Sequence, residues 1–569
     1  MTDLNRPRRG LLLLLLFLPF VLLVAGCSSI PSAGPVGTIS ASAEPDSVGF
    51  VNNPSGPQPG ATATEVLSGF VLAGTGVTDN YSVARAFLTD ELATTWQPEE
   101  RVIIYRADPK YSQTAAEGQF LIQIEVAGSV DARGIRNNAA AATTESIPVE
   151  MVQVDGQWRI NSIPSGIMIS TGDVANLLNS HNLYFYSSGF SYWVPDVRWF
   201  VNRQGIATNI VQAMLDGPAP YLQGAVTSAF PENATLAVES VPIDSGTATV
   251  DLNADILLET SNLQRQQMEQ QLRISLTGLN SVNTVDMRAG QPIDLGEPDP
   301  ELAPTVQDPN VGSTQVVISD NELAFLDGLQ LSAIEGAPSV ADLEPQDPAM
   351  SVNRENLAFL NREASQLFAT GVDQTVRPLV TGTDLTAPSF GPGNWLWVAG
   401  SVDGESVVRA VPPGGGSGTA VRIAAPWLSD RVIQELRISR DGARALIVVE
   451  QSGSSQVLVS GITTSGEGTP LSLSEPIVLS PSNPVNTAKW VSEDSVVVAQ
   501  TSADRSVSVE ILDFASAPVQ VSPLEGIVHI SAGSGAGDIY AQTGDQIQLL
   551  LGRAWAEQGV TARDPAFPG

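Results

Sequence analysis

Apolar and polar positions follow three different rhythms along the chain. From residue 63 the spacing is helical. Glu65-Val66-Leu67-Ser68-Gly69-Phe70-Val71 reads as a short helix. A second helix is predicted from Ser82 as N-cap, with Tyr81, Ala84, Leu88 and Leu92 at helical spacing and Trp96 closing it before Pro98. The period then falls to two, predicting strands over Arg101 to Tyr105, Phe120 to Val126 and Ile147 to Val154. Asp155-Gly156 is a tight turn into Gln157-Trp158-Arg159-Ile160. Both rhythms mix from residue 183. Leu183-Tyr184-Phe185-Tyr186 and Trp193 to Val201 read as strands, and Ile206 to Leu215 as a helix stopped by Asp216-Gly217-Pro218. Val250-Asp251-Leu252 is a strand, Asn262 to Leu279 a Gln-rich helix with Leu272, Leu276 and Leu279 as its stripe, and Val282 to Met287 a closing strand.

Beyond residue 312 long helices are absent. Short apolar runs alternate with Gly, Ser and Asp turns in a loose repeat. Pro388-Ser389-Phe390 precedes Trp395 to Ala399, Leu436 to Gly442 precedes Ala445 to Val449, and Ala488-Lys489-Trp490 precedes Ser495 to Ala499. Spacings of roughly 40 to 50 residues suit one four-stranded propeller blade each. Five units are clear and a sixth is open, and Gln315 to Ile318 is expected to pair with the final blade and close the ring. A pair of β-sandwiches explains the strands but not the recurring unit.

The first thirty residues differ from all of this. Arg6, Arg8 and Arg9 precede an apolar run from Leu11 to Val24 that ends in Val24-Ala25-Gly26-Cys27. The run is shorter than the roughly 20 residues of a membrane span and has the length of a secretory signal. Residues 28 to 62 are dominated by Ser, Gly, Pro and Ala and read as an extended tether. Residues 297 to 311, from Glu297-Pro298-Asp299-Pro300 to Asp308-Pro309, read as a stiff, extended acidic linker.

Composition narrows the function classes. The formal charge is −33 and the chain has two lysines, Lys110 and Lys489. Such a surface repels nucleic acid and anionic membrane alike, so any anchoring falls to a lipid. Hydrophobic residues make up 43%, enough for real cores, and a single Cys allows no internal disulfide. The expected organisation is a signal peptide (1–26), a lipidated tether (27–62), an α+β domain (63–175), an α/β domain (183–296), the linker (297–311) and the β-rich domain (312–569).

Candidate chemistry is sparse. His181 and His529 are the only histidines, and a Ser-His-Asp triad needs one of them. His181, in Asn179-Ser180-His181-Asn182, reads as a polar linker residue, and His529 as a satisfied strand histidine. No Gly-x-Ser-x-Gly elbow opens a helix, and neither lysine follows a Gly as a phosphate-binding loop requires. One Cys and two distant His do not suit zinc. Gly414-Gly415-Gly416 reads as a blade connection. Asp403-Gly404 and Asp441-Gly442 read as hairpin turns, with a calcium or catalytic role as the alternative. The aromatic cluster Tyr184, Phe185, Tyr186, Phe190, Tyr192, Trp193, Trp199 and Phe200 reads as core, against an exposed patch marking a partner surface. Abundant carboxylates leave a carboxylate-only hydrolase open by residue type. No catalytic residue, cofactor or metal ligand is expected.

Several stretches resemble known families. Val24, Ala25, Gly26 and Cys27 resemble the lipobox of bacterial lipoproteins, which implies an N-palmitoyl, S-diacylglycerol Cys27. Helices followed by a sheet ending in Gly156-Gln157-Trp158-Arg159-Ile160 resemble the nuclear-transport-factor-2-like fold. Met214 to Pro218, Phe230-Pro231, Val250-Asp251-Leu252 and Gln271-Leu272 with Leu276-Thr277 resemble the GerMN domain, which implies a binding or assembly module. Ser439 to Gly442 resembles the turn of TolB and WD40-like blades. The fold class expected is multi-domain and β-rich: an NTF2-like domain, a GerMN-like domain and a β-propeller of about five blades. In that order the chain resembles the LpqB family of actinobacterial lipoproteins. The resemblance implies a non-catalytic, lipid-anchored protein on the extracytoplasmic face of the cell membrane. It implies a partner in the MtrB sensor histidine kinase and a role in envelope homeostasis and division. An envelope glycan binder or carboxylate-dependent cell-wall hydrolase is the alternative.

Overall fold

A computed structural model describes residues 53–297, 303–402 and 404–569. Val24, Ala25, Gly26, Cys27 and Asp403 lie outside the described residues, as does most of the tether. Among the described residues no helix is long and apolar enough to cross a membrane.

Folding begins on a capping box. The Thr62 hydroxyl accepts from the Glu65 amide, and the Glu65 carboxylate accepts from the Thr62 amide at 2.7 Å. Two orphan donors of the Ala63–Ala73 helix are thereby satisfied, and the helix buries Val66, Leu67, Phe70 and Val71. The second predicted helix is broken into Ser82–Arg85 and Asp90–Thr95. Between them Leu88 bridges to Ile160 and the Thr89 amide donates to the Ile160 carbonyl. The edge strand Gln157–Ser162 thus takes backbone bonds a continuous helix would keep. Ser82 is not the N-cap; Tyr81 holds that place, at φ 59° and with no side-chain cap bond.

The helices cover a six-stranded sheet ordered Gln157–Ser162, Arg136–Val154, Gln119–Asp131, Arg101–Tyr105, Ile167–Ser170, with Lys110–Gln113 also on Gln119–Asp131. The strand predicted from Ile147 begins at Arg136. Asp155 (φ 52°) and Gly156 (φ 75°) both take the left-handed conformation that a two-residue hairpin turn demands.

The next hairpin joins two cores. Leu178–Ser187 pairs with Trp193–Val201 along its whole length. Leu178, Trp199 and Val201 pack into the first domain, while Leu183, Phe185, Tyr186 and Trp193 pack into the second. The second core also takes the helices Ile206–Leu215 and Asn262–Leu276 and the parallel pair Thr247–Asp251 and Thr284–Ala289. The Gln-rich helix ends at Leu276, short of Leu279, with Ser261 as its N-cap. Buried Gln271 ties it in, accepting from the Ala229 amide and donating to the Tyr184 carbonyl, both at 2.9 Å.

The remaining strands form six sheets, not five. Five are contiguous in sequence. The sixth, blade 1, takes Thr314–Ser319, Glu322–Asp327 and Gln330–Ala333 from one end of the domain and its innermost strand, Arg563–Ala566, from the other. No contiguous repeat exists for it, so the repeat alone shows five clear units. Gln315 to Ile318 does close the ring, through Val316 against Ala566 and Ile318 against Arg563. The innermost strands of blades 2 to 6 are Gln346–Met350, Ser389–Phe390, Val432–Ile438, Thr487–Trp490 and Ile527–Ala532. Each touches the next, and Arg563–Ala566 touches both Ile527–Ala532 and Gln346–Met350.

The domains are not beads on a string. One apolar cluster joins Ile135 of the first domain, Val194, Ala219, Tyr221 and Leu222 of the second, and Ala443, Leu446, Val448 and Trp490 of the propeller. The linker is strapped down where it is described. Val306 bridges to Tyr192, Gln307 Nε2 donates to the Tyr184 hydroxyl at 2.7 Å and to Glu493 at 3.0 Å, and the Val311 amide donates to Ser534. Its backbone finds partners on two domains at once, so these residues are fixed and do not act as a free spacer.

Candidate functional site

All six innermost propeller strands contribute to one cavity: Asp347 and Pro348, Ser389, Arg437, Lys489, His529 and Pro565 each line it. A space lined by every inner strand lies on the propeller axis. Its volume is about 60 Å³, far below the ~300–1,000 Å³ of pockets for drug-sized ligands.

Local backbone irregularity aims the polar groups inward. The pairing register shifts at Asp347, between Gln346 and Ala349, and again between Ile433 and Glu435 and between Ile527 and His529. The Arg563–Ala566 strand shifts opposite Val316 and Ile318, around Asp564. Asp347 (φ 47°) and Asp564 (φ 53°) are left-handed, a conformation that costs energy in any residue with a side chain. Four bulges at or beside four ionisable residues on one axis are the kind of feature that re-aims side chains next to sites.

Buried Glu435 organises the cations. It accepts from Lys489 Nζ at 2.8 Å and Thr487 Oγ1 at 2.9 Å, and Arg437 Nε lies 2.7 Å from its other oxygen. Burial works to raise its pKa, but Arg437 and Lys489 outweigh that and hold it below the usual carboxylate value. Burial and then Arg437 bring Lys489 down to about 8, with Glu435 opposing. Across the cavity His529 Nδ1 is 3.9 Å from Asp347 Oδ1. Burial, then Lys489 and Arg437, push His529 down to about 3, so it is neutral. Burial, then Asp564, push Asp347 up to about 7. The Asp347 side chain keeps 30% of its exposure, but what it meets is the narrow cavity, which explains why it behaves as a buried acid. Asp564 is raised by burial and accepts from the Asp347 amide at 3.3 Å. Arg440 also lines the cavity, donating to the Gly533 carbonyl at 2.6 Å and lying 3.6 Å from Asp308 of the strap.

The residues singled out from sequence fare differently. His529 sits in a strand as expected, yet it faces the cavity. His181 is not in a linker: it lies within the Leu178–Ser187 strand, opposite Arg198. Lys489, read from sequence as part of a blade repeat and as having no phosphate-binding loop, is central here, and its rarity is the signal that marked it. Asp441 is a turn residue. Its Oδ1 accepts from Ser439 Oγ and the Ala443 amide, its Oδ2 binds Arg444 at 2.6 Å, and Gly442 follows at φ 74°. The Gly414 and Gly415 carbonyls accept from Arg377 in a blade connection. Tyr184, Phe185, Tyr186, Trp193, Trp199 and Phe200 are buried and Phe190 and Tyr192 half-buried, so the aromatic cluster is core. Among the described residues no group of three or more His, Cys, Asp or Glu is placed to hold a metal ion.

Three family models match in order along the chain. Residues 56–175 match the N-terminal domain of lipoprotein LpqB, residues 182–292 a domain described as sporulation and spore germination, and residues 321–568 the lipoprotein LpqB β-propeller domain. Relatives named lipoprotein LpqB match over most of their length. That of Streptomyces avermitilis is 24% identical over 96% of both chains, that of Mycolicibacterium smegmatis 24% over 88% of both, and that of Bifidobacterium longum 24% over 79% of this chain and 78% of its own. Among solved structures, the tandem GerMN domains of GerM from Bacillus subtilis match 26% of this chain and 59% of that one at 14% identity and TM-score 0.18. A streptogramin B lyase matches 45% and 85% at 12% identity and TM-score 0.30. With both LpqB domains in place around the germination-type domain, the chain belongs to the LpqB family of lipoproteins.

Proposed function

We propose that this chain is a non-catalytic accessory lipoprotein, anchored through lipidated Cys27 to the extracytoplasmic face of the cell membrane, that binds the sensor domain of a two-component histidine kinase of the MtrB type. The partner comes from the family resemblance. The observation that carries the reading of a binder is the apolar cluster shared by all three domains. It makes the three folded domains one body whose faces keep fixed positions relative to each other. Confinement by the lipid raises the local concentration at a membrane receptor, so modest contacts suffice. Signalling shifts only by the difference in affinity for two receptor states.

Co-purification of the kinase from membranes with the full chain and with Cys27→Ser tests this. The anchored chain is expected to retain the kinase, and the soluble variant to bind the isolated sensor domain with less retention in cells. Absence of binding by either form overturns the reading. Separate domain deletions are a poor choice, because each would expose the shared core.

A carboxylate-dependent hydrolase is the second reading, favoured by the raised Asp347 beside Asp564. The cavity holding Asp347, at about 60 Å³, is too small for a glycan chain. Release of sugars from cell-wall polymers by the full chain, lost in Asp347→Asn, would establish it; no release retires it.

A further inference from the structure

We propose that the axial cavity is a binding site for a small α-amino or α-hydroxy acid, with Lys489 and Arg437 holding the carboxylate and Asp347 the neighbouring donor group. This goes beyond the kinase-binding reading and stands independently of it.

Charge comes first. The chain carries 61 acidic and 28 basic residues, yet Lys489, Arg437 and Arg440 all line this one small space, facing the carboxylate of Asp347. Glu435 lies behind Lys489 and Arg437, Asp308 lies 3.6 Å from Arg440, and Asp564 adjoins Asp347. The wall therefore presents both signs within one small space, cations on one side and Asp347 on the other, which suits a ligand with an acceptor and a donor next to each other.

Hydrogen bonding comes next. An ammonium has three donors, and Lys489, 8% exposed, gives one to Glu435. A carboxylate in the cavity would take up this remaining capacity beside Arg437, whose Nη1 donates to the Pro388 carbonyl at 2.7 Å and whose Nε lies against Glu435. On the opposite side the carboxylate of Asp347 opens to the cavity, with His529 at 3.9 Å as its nearest ion-pair neighbour. An acceptor placed there suits a ligand with a donor next to its carboxylate, an ammonium or a hydroxyl.

Size sets the class. About 60 Å³ corresponds to a few water molecules, which excludes sugars and nucleotides. Trp490, Phe567 and Pro568 give apolar wall for one or two carbons. The four inner-strand bulges make the site a constructed feature and not a gap left by packing.

The chain reports on the site by itself, because it has two lysines and Lys110 is exposed on another domain. In full-length protein labelled with ¹³Cε-lysine, the Lys489 signal is to be followed by NMR during titration with glycine, glycolate, acetate, inorganic phosphate and sodium chloride. Saturable movement of Lys489 and not Lys110 is expected with glycine and glycolate, at a Kd of about 1 mM or tighter. Acetate should bind about tenfold more weakly, and phosphate and chloride should give no saturable shift. Ala387→Leu fills the cavity wall without touching a charge and should abolish the shift. Should it fail to fold, Asp347→Asn keeps the shape and should erase the advantage over acetate. An unmoved Lys489 signal, an equal response to chloride, or an unchanged response in the folded variant each overturns the proposal.

Discussion

Two of the places where the molecule buries charge do so to opposite ends. At the domain junction Arg198 and Asp196 are 0% and 1% exposed. The guanidinium donates to both Asp196 oxygens at 2.9 and 2.6 Å and to the carbonyls of Arg133 and Gly217, and Asp196 also accepts from the Ala219 amide. The pair stitches backbone from two domains, and every one of these bonds is made within the protein. On the propeller axis two cations share one carboxylate, and Asp347 faces the cavity. A buried charge with its partners complete is a staple. A buried charge with capacity left over, beside a cavity, is a place for something else to bind.

The contrast can be broken most sharply at the junction. Asp196→Ala strands Arg198 without its counter-ion, and we expect a loss of about 3–5 kcal/mol in chemical denaturation. A loss below about 1 kcal/mol would show that the junction is not the staple argued here. Lys489→Met should cost less, about 1–2 kcal/mol, because Glu435 keeps Arg437 and Thr487. A loss as large as that of Asp196→Ala would make the axial cluster structural and remove the contrast.

The third test is pH. Asp347 rises from its ordinary 3.8 to about 7, through burial and then Asp564. The folded state therefore binds more protons than the unfolded between those values, and this contribution to stability is lost as pH rises through 7. His529 falls from 6.5 to about 3, through burial, Lys489 and Arg437, with Glu435 opposing. Its contribution is present above pH 6.5 and is lost as pH falls toward 3. In the overlap the slopes oppose. Asp347→Asn should remove the falling slope that Asp347 contributes, so the variant's melting temperature should climb relative to the native chain from about pH 4.5 to 7. Parallel curves would sink the assignment. The smallest effect belongs to the strap: Gln307→Ala, losing its bonds to Tyr184 and Glu493, should cost about 0.5–1.5 kcal/mol in the same assay.

Local pattern carried the elements and missed what depends on distant partners. Arg101–Tyr105 and Ile206–Leu215 are where periodicity places them. The helix after Ser82 is split because Ile160, far along the chain, competes for its backbone. Blade 1 escaped the repeat because its strands come from both ends of the domain. The site was harder still. Asp347, Glu435, Lys489, His529 and Asp564 lie on five different blades, and only the closed ring brings them to one axis. What the sequence did display was a lysine kept inside an apolar segment, Ala488-Lys489-Trp490, in a chain that has almost none.

The composite blade also sets an order of events. Residue 316 pairs with residue 566, so a chain made from its N-terminus has five blades available before the strand that completes the ring. Until then the inner edge of Thr314–Ser319 presents unpaired amides and carbonyls, open to any strand that arrives first. The axial cluster is incomplete over the same interval, because Asp564 and Pro565 are on the missing strand. Closure and site formation are therefore one step, and whatever guards the nascent propeller has to hold it until that step is reached.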